Sequence, residues 1–221
     1  MATLSELRTL IQNKVADGNL VEPTAAQIDA QINSTIDYYE TDKFWFSEEI
    51  ASLTTTVNNP VLGSIPSDFK QEIMPNGLTI IEGQVRFPLI KITPLEYDTL
   101  NVEGQGLPRW YTYRDGQFEL YNYPDQAYTI NLFYRKTYAD LVDDSDNNDF
   151  TNNAARLIEY KTIADILMDY RSDDQRALLY YQRVDDEYIK IKRETNNRTV
   201  TGYLTTENIV DRNYSYYYGY Y

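Results

Sequence analysis

The alternation of hydrophobic and polar residues is most regular between residues 151 and 195, where it predicts two helices. The first run is apolar around more than half of a helix circumference, which indicates neighbours on several sides. Its apolar residues are Ala155, Leu157, Ile158, Tyr160, Ile163, Ala164, Ile166, Leu167 and Tyr170. Ser172, Asp173 and Asp174 then supply an N-cap for a second helix. The second run carries a narrow seam with steps of four and three, at Ala177, Tyr181, Val184, Tyr188 and Ile191. We predict two helices folded back on each other.

The first forty residues show the same helical spacing, in two shorter runs. One apolar face consists of Leu4, Leu7, Ile11 and Val15, and Asp17-Gly18-Asn19 ends that helix. Thr24 is placed to cap a second helix with a seam of Ile28, Ile32, Ile36 and Tyr39.

Between Phe44 and Tyr138 the pattern changes to short strands separated by prolines. Asn76-Gly77 and Asp115-Gly116 each lie between apolar runs and suit tight hairpin turns, which need positive φ. Tyr128, Ile130, Leu132 and Tyr134 alternate with their neighbours as in a half-buried strand.

Four amphipathic helices bury their apolar stripes most simply as a bundle. We therefore predict an antiparallel four-helix bundle of two N-terminal and two C-terminal helices, with a small antiparallel β insertion and an extended C-terminal arm. The predicted parts are residues 1–43 (N-terminal helices), 44–140 (β insertion), 141–197 (C-terminal helices) and 198–221 (arm).

Composition narrows the possible functions of the 221 residues. The net charge of −14 argues against general affinity for duplex DNA or anionic membranes. Cysteine and histidine are both absent, which excludes disulfides, thiolate metal sites and every imidazole-based triad. The N-terminus lacks the pattern of a signal peptide, and no stretch reaches the roughly 18 apolar residues of a membrane span. We expect neither an enzyme nor a cofactor.

The acidic loop Asp143–Asp149 is the best candidate for a metal site, since it offers oxygen ligands at alternating positions. It lacks the glycine and the final acid of an EF-hand loop. We therefore interpret it as a solvated linker whose last polar residues cap the next helix, and we predict no metal.

Basic residues form a stripe along the predicted final helix, where Arg176, Arg183 and Lys190 are spaced seven residues apart. Two interpretations are open: a solvated, partly salt-bridged face, or a surface that meets an acidic neighbour such as a second copy of this chain. Residues 1–50 carry three Lys or Arg against nine Asp or Glu and are a plausible complement. The predicted subunit interface consists of Arg176, Arg183, Lys190 and Arg193.

The last residues of the chain have no apolar seam, and six of the final eight are tyrosine. Such a cluster exposed on a monomer would be adhesive, so a segment that orders on docking is favoured over low-complexity sequence or a carbohydrate-stacking surface. Residues 199–204 alternate as a strand that could join a partner's sheet. The predicted partner-binding residues are Tyr203, Leu204, Tyr214, Tyr216, Tyr217, Tyr218, Tyr220 and Tyr221.

Five short sequence motifs, in this order along the chain, resemble those of a known family. They are Ile65-Pro66-Ser67-Asp68-Phe69, Leu107-Pro108-Arg109-Trp110-Tyr111, Phe118–Tyr121 leading to Pro124, Tyr128–Tyr134, and Asn152-Asn153 with Leu157-Ile158-Glu159-Tyr160. With the paired N-terminal helices and the two closing helices, this layout resembles the head–tail connector (adaptor) proteins of tailed bacteriophages, particularly the short-tailed type. The resemblance spans residues 1–197.

The resemblance implies a structural virion protein at the head–tail junction. Such proteins form rings, commonly twelvefold, under the portal protein and receive the tail nozzle or tail tube protein below, while genomic DNA passes through the lumen without specific binding. By the same analogy the C-terminal tyrosines bind the portal, and no membrane is involved.

Two other functions are kept as alternatives. The abundance of tyrosine, tryptophan and carboxylates is compatible with a carbohydrate-binding or carbohydrate-cleaving tail component. An acidic scaffold protein with another partner is the third interpretation.

Overall fold

The computed structural model describes residues 2–15, 23–75, 77–100 and 104–217, with side chains as far as Arg198. The chain divides into a helical unit, Met1–Ser47 with Tyr138–Tyr221, and a β unit, Glu48–Thr137. The helices are α1 (Leu4–Val15), α2 (Ala25–Glu40), a 3-10 helix (Trp45–Ser47), α3 (Pro94–Thr99), α4 (Asp149–Asn153), α5 (Ala155–Asp169) and α6 (Asp174–Tyr217).

Helices α1 and α2 confirm the predicted N-terminal pair. The four apolar residues of the α1 face and the four of the α2 seam are all buried. Thr24 caps α2 in a capping box, in which its side chain accepts from Gln27 N–H and the Gln27 side chain accepts from Thr24 N–H. The predicted end of α1 at Asp17-Gly18-Asn19 lies outside the described residues.

Helix α5 is the centre of the helical unit. Its buried residues lie all around its axis, and it packs against α1, α2, α4 and α6. A helix of a simple four-helix bundle keeps one face in solvent, so the predicted bundle is wrong in this respect. The short extra helix α4 comes from the end of the acidic loop, where Asn148 caps it as predicted.

Helix α6 follows the predicted seam and then departs from the prediction. Ala177, Val184 and Ile191 are buried, while Tyr181 and Tyr188 are half-buried against the same core. The backbone remains helical over 44 residues to Tyr217, so the extended arm from residue 198 is wrong. Helical propagation costs less than starting a new element, because each added residue completes one more hydrogen bond.

The β unit contains eight strands among the described residues, which is more than a small insertion. The strands are β1 (Glu48–Thr54), β2 (Phe69–Glu72), β3 (Leu78–Glu82), β4 (Val85–Pro88), β5 (Ile90–Lys91), β6 (Trp110–Arg114), β7 (Gln117–Tyr121) and β8 (Thr129–Lys136). One sheet has the order β1-β8-β3-β4 with β2 also paired to β8, and the other has the order β5-β6-β7. Strands β5 and β6 are parallel, so the prediction of a purely antiparallel insertion is also wrong.

The Asp115-Gly116 hairpin is confirmed. It joins β6 to β7, and both residues have positive φ, at 50° and 76°. The Asn76-Gly77 hairpin is wrong, because β2 and β3 pair with β8 and not with each other. Strand β1 pairs with one edge of β8, so β2 and β3 lie one after the other along the opposite edge. Between β2 and β3, the Ile73 N–H donates to the Phe133 carbonyl oxygen, and the Phe133 N–H donates to the Gly77 carbonyl oxygen.

Strand β8 is the centre of the larger sheet, and its predicted alternation is confirmed. Ile130, Leu132 and Tyr134 are buried, as is Tyr128 just before the strand. They share a core with Leu78 and Ile80 of β3 and with residues of the second sheet: Tyr111, Phe118 and Leu120.

Candidate assembly surfaces

The start of α6 is fastened to α1 by Arg176. Its guanidinium donates to the carbonyl oxygen of Lys14 at 2.9 Å and lies 3.5 Å from the Asp173 carboxylate. The last carbonyls of a helix have no intrahelical partner and carry partial negative charge, so a cation is favoured there. Arg176 therefore binds within its own chain.

The middle of α6 is held by Asp42, which follows the end of α2. The Tyr188 hydroxyl donates to Asp42 Oδ1 at 3.0 Å, and Lys192 Nζ donates to the same oxygen at 2.8 Å. Burial, and then the Asp42 carboxylate, raise the pKa of Tyr188 above its usual value, so the hydroxyl stays protonated as the donor. Lys192 also lies 4.8 Å from the ring centroid of Phe44.

The 3-10 helix provides the last described anchor of α6. The Trp45 N–H donates to Thr195 Oγ1 at 3.4 Å, and the guanidinium carbon of Arg198 lies 3.5 Å from the Trp45 ring centroid. Glu194 fixes the same guanidinium with a bond of 2.7 Å. These contacts hold α6 against its own core as far as residue 198.

The other three predicted interface residues are exposed on α6. Arg183 stacks over Tyr180 and Tyr160, at 5.1 and 5.9 Å from the ring centroids, and Lys190 lies 3.3 Å from Glu187. Arg193 is exposed one turn further on. Arg183, Lys190 and Arg193 thus form an outward basic surface that excludes Arg176, and their role in a subunit interface stays a prediction.

The predicted partner-binding residues lie at the end of the chain. Tyr203, Leu204, Tyr214, Tyr216 and Tyr217 lie in the helical backbone of α6, and their side chains are not among those described. Tyr218, Tyr220 and Tyr221 lie outside the described residues. Binding of the portal by these residues stays a prediction.

The apolar residues on the outer surface of the helical unit were not among the predicted site residues. Leu178, Leu179 and Ile189 on α6 are about half exposed, as is Leu10 on α1, and Val142, immediately before the acidic loop, is 76% exposed. The available signal was the presence of large aliphatic residues off the seam, on positions that a solvated helix face fills with polar residues.

The acidic loop is organised by its own hydrogen bonds. The N–H groups of Val142 and Asp143 each donate to Asp146 Oδ2 at 2.8 Å, which lowers the pKa of Asp146 below its usual value. Asp144 binds Arg8 at 2.7 Å. Within the described parts of the chain, no three His, Cys, Asp or Glu side chains are grouped to hold a metal ion. No helix there is long and apolar enough to cross a membrane.

Comparison with known families identifies the group of proteins to which the chain belongs. A family model described as SU10 adaptor protein matches residues 2–206, nearly the whole chain. The chain belongs to this bacteriophage adaptor family. The resemblance to head–tail adaptors is thereby confirmed. No curated protein matches the adaptor sequence. The match includes both units of the adaptor and extends along α6 past Arg198. In a structural adaptor the surfaces that bind other proteins are the functional sites.

Proposed function

We propose that this adaptor forms a ring below the portal protein, joins the portal to the tail, and leaves a lumen through which the genome passes. The observation that carries the proposal is the division of α6 into two parts. Its first part is bonded to its own core as far as Arg198, and its backbone then continues as a helix to Tyr217.

The second part of α6 does not continue the buried seam of the first part. The seam with steps of four and three ends with Ile191, and the next positions in that spacing are Thr195, Arg198, Gly202 and Thr205. A helical segment that does not continue the buried seam gains little from its own core and is marginal in water. A partner that covers it supplies the missing stabilisation. At about 1.5 Å per residue, residues 199–217 span about 28 Å, which is long enough to reach a neighbouring protein.

The charge of the chain supports a role around passing DNA. A net charge of −14 per copy repels phosphates, so a ring of these chains would line a conduit without gripping the genome. The tyrosines at the end of the chain offer large contact area at low cost in side-chain entropy, as binding surfaces do. We therefore assign the portal as the partner of residues 199–221 and the tail nozzle or tube as the partner below.

Truncation tests this assignment. Portal-bearing particles that lack the adaptor are incubated with the full chain or with residues 1–198, and bound adaptor is measured after sedimentation. We expect the truncated chain to keep its circular dichroism and thermal unfolding but to lose retention on particles. Normal retention would show that the portal contact lies elsewhere.

Gly202 provides a matched pair of full-length variants. Gly202→Pro breaks the helix at a cost of about 2 kcal/mol relative to glycine, whereas Gly202→Ala stabilises it by about 1 kcal/mol. If the helical form binds the portal, the proline variant loses retention and the alanine variant keeps it. Electron microscopy of particles with the full chain should reveal the ring at the portal vertex. A chain located elsewhere, or one that hydrolyses glycans, would contradict the proposed function.

A further inference from the structure

The outer face of α1 carries a shallow apolar groove. It is lined by Ala2, Ser5, Glu6, Thr9 and Leu10 and has a volume of about 450 Å³. Leu10, one of the lining residues, is 46% exposed. We propose that this groove receives the outer face of α6 from a second copy of the chain. The proposal rests on the proposed ring, and it names the two surfaces by which neighbouring copies meet.

The groove has an acidic rim. Leu4 and Ser5 donate their N–H groups to the carbonyls of Asp146 and Asp144, at 2.9 and 3.2 Å, so the acidic loop lies against the first turn of α1. The carboxylates of Asp140 and Asp143 are exposed and form no ion pair with the described residues. Asp144 is neutralised by Arg8, whereas Asp143 leaves negative charge on the loop that contacts the first turn of α1, and Glu6 adds a carboxylate to the groove lining.

The outer face of α6 has the opposite character. Leu179, Arg183, Asp186, Lys190 and Arg193 follow steps of four and three, like the buried seam, but on the opposite side of the helix. Three of these five are basic, and one is an exposed leucine. We call this row the α6 ridge. The exposed Leu178 and Ile189 flank it.

The two surfaces are complementary in chemistry. The groove offers apolar lining with an acidic rim, and the ridge offers leucine with basic residues. The ridge cannot enter the groove of its own chain, because the opposite face of α6 packs on α5. Copies that each carry a net charge of −14 repel one another, so their association needs local pairing of opposite charges.

Two different surfaces on one chain form a head-to-tail contact. Each copy then offers its ridge to one neighbour and its groove to the other, and such contacts close into a ring when the rotation permits. A contact between like surfaces would stop at a dimer. The groove and the ridge therefore supply the kind of contact that a ring requires.

The absence of cysteine makes the contact directly testable by crosslinking. Two full-length variants, Leu10→Cys in the groove and Leu179→Cys on the ridge, are assembled onto portal-bearing particles, singly and as an equal mixture. A short bismaleimide reagent then links neighbouring thiols, and the products are separated on a denaturing gel. Both positions are exposed, so each variant is expected to fold normally. Leu95→Cys, at a 77% exposed position of the β unit, replaces Leu10→Cys in the control mixture.

We expect crosslinked adaptor dimers in the groove–ridge mixture, and none with either variant alone or in the control mixture. A chain with both substitutions should give a ladder of higher multimers. If the ring is present at the vertex but the mixture gives no dimer, the inference is overturned and the proposed function stands. Dimers from Leu179→Cys alone, or crosslinks from the ridge to a portal or tail protein, also overturn it. If the chain is absent from the vertex, the proposed function itself fails.

Discussion

The guanidinium carbon of Arg198 lies 3.5 Å from the ring centroid of Trp45, and this contact marks the last described point at which α6 touches its own core. The 3-10 helix that carries Trp45 stacks Phe46 on Phe44 and thereby joins the aromatic centre of the helical unit. Contacts between described residues therefore fix α6 against its own core as far as Arg198.

Loss of the Arg198–Trp45 contact should weaken the fold slightly. The Arg198 side chain is half exposed, and a cation over an indole at such a site contributes about 0.5–1 kcal/mol. We expect Arg198→Ala and Trp45→Leu to show this coupling in a double-mutant cycle measured by urea unfolding. Additive effects of the two substitutions would show that the contact contributes nothing.

The helices could be predicted because their signals are local. The spacing of Leu7 and Ile11, or of Val184 and Ile191, reports one buried face without knowledge of what covers it. The arrangement of the helices was not predictable in the same way. The apolar circumference of α5 indicates several neighbours, but it does not distinguish a simple bundle from a central helix that packs against four others.

The position of α5 leads to a prediction about two residues on opposite faces. Ile158 and Leu167 are nine residues apart, or about 900° at about 100° per residue, and both are fully buried. Ile158→Ala and Leu167→Ala should therefore each lower the free energy of unfolding by about 2–5 kcal/mol in urea titrations.

Met168 provides the control for α5, because it is 38% exposed. Met168→Ala should change the free energy of unfolding by roughly 0.5 kcal/mol or less. If either buried substitution cost under about 1 kcal/mol, α5 would have a free face and would not be the central helix.

Glu72 links the two sheets of the β unit. Its carboxylate is buried on β2, pairs with Lys91 of β5, and accepts a hydrogen bond of 2.9 Å from the Tyr111 hydroxyl of β6. Burial, and then the Glu72 charge, raise the pKa of Tyr111 above its usual value, so the phenol remains a donor.

Tyr111→Phe should consequently lower the free energy of unfolding by about 1–3 kcal/mol, because it removes a donor from a buried carboxylate. Tyr113→Phe is the matched control on the same strand, since no described residue accepts a hydrogen bond from the Tyr113 hydroxyl. Equal effects of the two substitutions in thermal unfolding would show that the Glu72 bond is not the cause.

The same carboxylate explains why the first hairpin was mispredicted. A Cβ at Gly77 would lie 3.0 Å from Glu72 Cβ and 3.2 Å from Glu72 Oε2, so a side chain there would crowd Glu72, and glycine permits the close approach. Asp115-Gly116, in contrast, has the positive φ values of a real turn. In the sequence, Asn76-Gly77 and Asp115-Gly116 give the same signal for a tight turn. Only the long-range pairing with β8 distinguishes them, and that pairing has no local signal.

The residues of the assembly surfaces also differ in how far the sequence indicates them. The basic residues Arg183, Lys190 and Arg193 were found from their spacing, and they are exposed as a surface residue must be. Arg176 has the same spacing, but it binds the α1 carbonyl of Lys14. The groove on α1 could not be foreseen, because its acidic rim comes from a loop more than 130 residues away in the sequence.

Asp146 gives the fold a defined dependence on pH. Its pKa is lowered by the N–H groups of Val142 and Asp143, so the folded chain binds this proton less tightly than the unfolded chain, whose value is about 3.9. The ionised carboxylate therefore stabilises the fold above about pH 4, and this stabilisation is lost as the pH falls through the lowered value.

We expect Asp146→Asn to reduce the free energy of unfolding at pH 7 and the difference from the parent chain to shrink as the pH falls below about 4. Urea titrations at several pH values measure this. Asp140→Asn is the control, because the exposed Asp140 carboxylate accepts no hydrogen bond from the described residues. A difference between Asp146→Asn and the parent that stayed constant down to pH 2 would show that shape, and not the charge on Asp146, holds the loop against α1.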